Sequence, residues 1–304
     1  MKVLIAYDGS DSADAILDEL PRAGLPQSGE AIVLSAGRAW PMMGDEGAAA
    51  AAMTRITDDE LARVWALAER AAGRVRAALA GWRVAGEGVV DVPQWAIVNK
   101  ADAWRPDLIF VGSHGRSALA RVLLGSVSQS VLTHAACSVR ISRRRPDRAP
   151  GPIRLLIGVD GSVASATAVS AVAMRYWPAG TEARILAAVE SIDPPDGSAS
   201  RAHSQAAPSP PAQSTHAHSL PAWASHAVQG VAEELTAAGL IVSTVIREGD
   251  PKQLLTDEAD RWPADCVFVG AKGMSRLDRF LLGSVSLAVA GRARCSVEVV
   301  RHPA

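Results

Sequence analysis

Cysteine, surplus charge and long apolar runs are all scarce in this chain. Three cysteines among 304 residues, an odd number, argue against a disulfide framework. Cys137 and Cys295 read instead as small buried residues, each opening the last strand of its half. With 31 Lys and Arg against 32 Asp and Glu, the net charge is −1 and no broad basic field exists to attract nucleic acid or an anionic membrane. No apolar run reaches the length of a membrane span. The opening Met1-Lys2-Val3-Leu4-Ile5-Ala6 is too short for a signal-peptide core, so the expectation is a soluble cytoplasmic protein. Also missing are the Gly-Lys-Ser/Thr ending of a Walker loop and the closely spaced glycines of a dinucleotide fingerprint.

What the chain does have, it has twice. Leu108-Ile109-Phe110-Val111-Gly112-Ser113-His114-Gly115 is followed after nine residues by Gly125-Ser126-Val127-Ser128. Cys266-Val267-Phe268-Val269-Gly270-Ala271-Lys272-Gly273 is followed, again after nine, by Gly283-Ser284-Val285-Ser286. Each half also opens with an apolar strand running into Asp-Gly-Ser, at Asp8-Gly9-Ser10 and Asp160-Gly161-Ser162, which reads as a tight turn and a helix cap. Strands alternate with helical stretches through both halves, which predicts βαβ units and a parallel sheet covered on both faces. The fold class expected is α/β, two repeated doubly wound, Rossmann-like domains of five parallel strands each, at 1–147 and 152–304. A charged, proline-rich linker near 143–152 separates them. In the first half a capping box, Thr57 with Glu60, is expected to start the long helix, and the third strand is only weakly marked around Trp82-Arg83-Val84. Residues 191–221 are rich in Ser, Ala, Pro and His and read as a disordered insertion. Its histidines, His203, His216 and His218, with His226 beyond, lack the rigid spacing of a metal site. Each half ends in an apolar edge strand, which invites Val139 and Ile141 to lie beside Val297 and Val299 as an intrachain pseudo-dimer.

In an open parallel sheet, ligands sit beyond the carboxyl ends of the strands, and both turns fall there. Glycines after a buried strand point to a backbone that bends tightly, through positive φ, and lets a phosphate approach closely. Gly112 and Gly115 would admit a ribose or phosphate, and Gly125-Ser126 starts a helix whose unpaired N–H groups attract an anion. The hydroxyls of Ser126 and Ser128 add donors, and Gly270, Gly273, Gly283, Ser284 and Ser286 repeat the arrangement. Arg121 and Arg279, four residues before each second glycine group, either reach phosphates or stay solvated. His114 faces Lys272 in the repeat, so neither is an obligatory shared catalytic group.

The strand-Asp-Gly-Ser opening and the Gly, two residues, Gly, nine residues, Gly-Ser pattern resemble the universal stress proteins in a tandem form, over nearly the whole chain. The resemblance implies ATP, with or without Mg2+, as the ligand. Asp8 and Asp160 would then approach adenine, the first glycine pair ribose and phosphate, and Gly125-Ser126-Val127-Ser128 and Gly283-Ser284-Val285-Ser286 the phosphates. It also implies that the last strands of two such domains pair antiparallel. The sequence departs from the family at Asp91-Val92-Pro93, which stands where the second half has Gly249-Asp250-Pro251, and at Ser138 and Ser296, where the family usually has proline. The expected role is a nucleotide-dependent regulator or sensor in stress response with an unidentified protein partner, its assembly beyond the pseudo-dimer, a homodimer included, left open. The alternatives are a slow ATPase or phosphotransferase and a scaffold with vestigial sites. The loops share no carboxylate or histidine, so no catalytic residue is assigned.

Overall fold

The computed structural model describes residues 1–38, 46–114, 124–144, 151–189, 222–272 and 282–302, with the backbone alone for 46–56 and 222–223. Gly115, Gly273, Arg121, Arg279, most of the linker and the insertion lie outside the described residues. The first half runs β1 (Lys2–Ala6), α1 (Asp11–Glu19), β2 (Gly29–Gly37), α2 (Glu46–Ala78), β3 (Trp82–Val90), α3 (Pro93–Trp104), β4 (Leu108–Gly112), α4 (Ser126–His134) and β5 (Ser138–Ser142). The second repeats it as β6 (Arg154–Val159), α5 (Val163–Ala173), β7 (Glu182–Val189), α6 (Ala222–Ala237), β8 (Ile241–Glu248), α7 (Pro251–Arg261), β9 (Cys266–Gly270), α8 (Ser284–Arg292) and β10 (Ser296–Val300). The ten strands form one sheet in the order β3-β2-β1-β4-β5-β10-β9-β6-β7-β8. Pairing is parallel within each half and antiparallel where β5 meets β10.

Two local expectations are corrected. Thr57 and Glu60 do not begin a helix, because α2 already starts at Glu46. The third strand of the first half is as long as any, nine residues paired in register with β2. Its glycines hid it from a propensity reading. They serve the crossing of α2, since a Cβ on Gly86 would stand 2.9 Å from Cα of Glu69 and one on Gly88 2.7 Å from Cα of Trp65.

The seam between the halves follows from strand alternation. Val297 pairs with Ile141 and Val299 with Val139, and these four side chains join one apolar cluster with Val131, Leu132, Val289 and Ala290 of α4 and α8. The intervening pair, Glu298 opposite Arg140, points to the other face, where both side chains are buried. There Arg140 donates through Nε to Glu19 of α1 at 3.0 Å and through Nη1 to Glu298 at 3.4 Å. Arg175, just past α5, donates to the same Glu298 at 2.7 Å. Each guanidinium lies over a phenylalanine, Arg140 on Phe110 and Arg175 on Phe268. Ser142 and Ser296 donate their hydroxyls to Glu19. Two arginines and two glutamates thus leave no net charge in the buried layer.

A reciprocal clasp flanks this network. Arg143 follows β5 and donates to the Ala290 carbonyl at the end of α8, while Arg301 follows β10 and donates to the Leu132 carbonyl of α4 at 2.8 Å. The backbone N–H of Arg143 donates to Ser296 Oγ at 3.1 Å, and that of Arg301 to Ser138 Oγ at 3.1 Å. The two serines that depart from the family pattern are therefore acceptors across the seam, a role proline has no side-chain oxygen to fill. The cysteines are free; burial pushes the Cys137 thiol up to about 11 and the Cys266 thiol well above its ordinary range.

Replacing Glu298 by Met leaves two buried arginines short of a carboxylate and should cost about 3–5 kcal/mol in urea unfolding. Arg140→Met in the same chain should recover part of that loss, whereas strictly additive costs would mean that the pair does not act as a unit. Ser138→Ala with Ser296→Ala should lower stability by roughly 2 kcal/mol by unpairing both N–H donors; an unchanged urea midpoint would remove these serines from the seam's hydrogen bonding.

Candidate functional site

The two Asp-Gly-Ser turns are built alike. Asp8 Oδ1 accepts the N–H of Ser10 at 3.0 Å, Gly9 turns the chain at φ 77°, and Ser10 Oγ caps α1 by accepting from Ala13 N at 3.2 Å. In the second half Asp160, Gly161 at φ 76° and Ser162, capping α5, repeat this with the same distances. Only glycine adopts such a φ without strain. The turns follow β1 and β6, which pair with β4 and β9, so each aspartate comes beside a glycine loop.

The loop glycines act differently from the sequence expectation. Gly112, Gly125, Gly270 and Gly283 do not take positive φ; the caps Gly125 and Gly283 are extended, at φ −62° and −65°. Gly112 and Gly270 are needed for close approach. A Cβ on Gly112 would press on the Ser12 backbone at 3.0 Å, and one on Gly270 would overlap that of Ala164. The returning chain is pinned at Gly125, whose N–H donates to the Ser113 carbonyl at 2.9 Å, and at Gly283, which donates to Ala271 at 2.7 Å. Ser128 and Ser286 are buried, and their hydroxyls donate back to the carbonyls of Gly112 at 2.5 Å and Gly270 at 2.6 Å. Their protons hold the start of the helix to the end of the strand. Ser126 and Ser284, two residues earlier, are exposed. Neither α4 nor α8 carries a side-chain cap, in contrast to α1, α5 and α7, capped by Ser10, Ser162 and Asp250. The N-caps of α4 and α8 are glycines, so the first-turn N–H groups, at the positive end of the helix dipole, have no N-cap side chain to accept from them.

In the first half these parts enclose a cavity of about 590 Å³, within the usual range for a small-molecule site. Asp8, Gly112, Gly125, Ser126, Val127 and Ser128 all lie on its wall. So do groups that motif reading missed: Gly37 and Arg38 where β2 ends, His114, and Glu60 with Arg63 on α2. Glu60 takes Arg63 in a bidentate pair, Nε at 2.6 Å and Nη2 at 2.7 Å, and this hydrogen-bonded carboxylate raises the guanidinium above its ordinary value. The spacing of three residues was a legible helix-face signal, but Glu60 read as a cap. Tyr7, also on the wall, is held neutral: burial first, then its 2.7 Å bond to Asp14, pushes its hydroxyl up to about 12. Another hollow, of about 600 Å³, lies between α6 and the edge strand β8 and takes none of the loop residues. Among the described residues no three His, Cys, Asp or Glu gather as a metal site, and no helix is long and apolar enough to cross a membrane.

Known proteins match this architecture. A solved universal stress protein from Archaeoglobus fulgidus aligns with 99% of this chain and 96% of its own, at a TM-score of 0.61 and 20% identity. A protein of unknown function from Pseudomonas aeruginosa aligns with 98% of this chain and 92% of its own, at a TM-score of 0.57 and 14% identity. At these identities they speak for the fold alone. Universal stress protein Rv2005c of Mycobacterium tuberculosis is 30% identical over 201 residues, 64% of this chain and 62% of that protein's length. Rv2623 of the same organism is 31% identical over 197 residues, 64% of this chain and 61% of its own length. The chain thus spans less than two thirds of the curated relatives it matches. The model of the universal stress protein family matches twice, over residues 1–143 and again over 153–301, and the chain belongs to that family as a tandem pair.

Proposed function

We propose that each half, as a unit spanning 1–147 or 152–304, binds an adenine nucleotide, ATP being the expected ligand, and that occupancy regulates the protein's contacts in a stress response. The observation that carries this reading is the first-half cavity, where Asp8, the glycine loop and the uncapped first turn of α4 share one wall. Amides of that turn suit a phosphate, since the turn lies on the cavity wall at the positive dipole end and its N-cap glycine has no side chain. Ser126, exposed at the same turn, adds a hydroxyl. Asp8 stands on the cavity wall with one oxygen fixed by its turn, which orients the other for the polar edge of a base. The second half repeats the hydrogen bonds of Asp160, Gly270, Gly283 and Ser286, with Ser284 and Val285 at the same helix start. Among the described residues no carboxylates gather as a cage for Mg2+, so a magnesium ion would come with the phosphates, and the exposed hydroxyls of Ser126 and Ser284 would be the protein groups to hold it.

Binding is favoured over turnover because the polar groups of the cavity already have structural duties. Asp8 holds its turn, Glu60 is engaged by Arg63, and Ser128 gives its proton to Gly112. Phosphoryl transfer needs a group that orients the attacking nucleophile and several that neutralise charge together.

Calorimetric titration with ATP should give a stoichiometry near two per chain. Gly125 and Gly283 are extended, so valine there brings no φ strain, although a Cβ on Gly283 would press on the Ala271 carbonyl at 3.2 Å; Gly125→Val with Gly283→Val should abolish binding, and the urea midpoint of each single variant separates lost binding from lost stability. A stoichiometry of one would mean a silent half, and undiminished binding in the double variant would refute the loop assignment. Phosphate release at saturating ATP and magnesium should stay below about 1 per second. Faster sustained turnover, lost in Ser126→Ala with Ser284→Ala, would make the protein an enzyme.

A further inference from the structure

We propose that His114 is the phosphate-reading residue of the first half, its Nε2–H donating to a phosphate oxygen of the bound nucleotide, an assignment that rests on the nucleotide reading above. Three side-chain atoms among the described residues are buried without a hydrogen-bond partner: Nε of Arg22, Nη1 of Arg301 and Nε2 of His114. Of these residues, His114 is the one on the cavity wall. A buried ring nitrogen without a hydrogen-bond partner is costly, and native structures keep such a group where something else completes it.

The neighbours of the ring say what that something is. Its Nδ1 stands 3.1 Å from Ser113 Oγ. A serine hydroxyl serves either tautomer; when it donates to Nδ1 the ring carries its proton on Nε2, and this is the tautomer that an oxyanion beside Nε2 selects. The acceptor is located by the backbone: the Ser113 carbonyl takes the N–H of Gly125, which sets His114 directly beside the uncapped first turn of α4. An oxyanion placed on those amides lies next to the imidazole. An apolar ligand would leave both sets of donors unmet.

The second half is built differently at this point. Lys272 occupies the equivalent position, and its Cα would lie 3.5 Å from a Cβ on Gly283, so it too stands beside the helix start. One site presents a planar, directional donor that can be neutral, the other an ammonium on a flexible stem. The two sites of one chain therefore read the phosphate chain by different chemistry, which the near-identity of the glycine motifs conceals.

The test uses the full chain, labelled with nitrogen-15, titrated with ATP and separately with adenosine. Backbone amide signals of Ala6 and Tyr7, both on the cavity wall, report first-half occupancy, and long-range imidazole spectra report His114, assigned by its loss in His114→Ala. ATP should move the His114 Nε2 signal and adenosine should leave it in place. His114→Ala should weaken ATP at the Ala6 and Tyr7 reporters by about tenfold, the usual worth of one charge-assisted hydrogen bond, with adenosine affinity unchanged. His114→Gln, which keeps a side-chain N–H, should restore most of the loss. Equal weakening of both ligands would mark His114 as structural and overturn the proposal, as would ATP occupancy with an unmoved imidazole signal. If ATP moves neither reporter amide, the nucleotide reading of the first half fails, and this assignment fails with it.

Discussion

The rest of the molecule depends on one buried ion pair at the centre of the sheet, Arg140 of β5 facing Glu298 of β10. Antiparallel pairing of the two last strands sets these residues opposite each other, and alternation sends both away from the apolar α4 and α8 face into the layer under α1 and α5. Charges buried this deeply are tolerable only if every lone pair and proton is met. Glu19, Arg175, Ser142 and Ser296 meet them, and two phenylalanine rings close the guanidinium faces. All three layers of the junction are thereby tied: helices, strands and the segments just beyond them.

This network breaks the internal symmetry that the backbone keeps. The repeat places Arg140 and Glu298 at equivalent positions, so pairing two first halves would set arginine against arginine, and pairing two second halves glutamate against glutamate. Buried like charges are among the most unfavourable contacts an interface can hold. The seam is thus heterotypic by charge, while the clasp of Arg143 and Arg301 onto the helix ends of the opposite half stays symmetric. Backbone pairing supplies the geometry and the asymmetric charges supply the choice of partner.

At the crevices, a few small residues fix the fold. Gly112 and Gly270 let a helix start pass against a strand end, and Ser128 and Ser286 lock the following helix to that same strand end. Asp8, Ser126 and the His114 ring share the first-half cavity wall with Arg38 and Arg63, and on them the proposed nucleotide site rests. Glu60 and Arg63 close the far wall from α2, a helix that the motifs do not include.

Periodicity and exact repetition were enough to read the α/β class, the five strands of each half, the Asp-Gly-Ser turns with their caps, and the apolar last strands that meet, because each is a local pattern or a local pattern met twice. Valines 139, 297 and 299 and Ile141 advertise a buried edge by their own chemistry. Contacts between distant segments decided what remained. The strand at Trp82–Val90 exists because β2 pairs with it and α2 needs its glycines, neither of which local propensity records. Thr57 and Glu60 carry the signature of a helix start, yet helix already precedes them, and Glu60 faces Arg63 at the cavity instead. Glycines that seemed to call for positive φ turned out to need only an absent Cβ, which depends on what passes beside them. Arg140 and Glu298 read as ordinary charges in a strand until the two halves are laid edge to edge. A sequence encodes preferences of each segment directly, but burial, charge pairing and the identity of a neighbour 158 positions away are properties of the packed sheet.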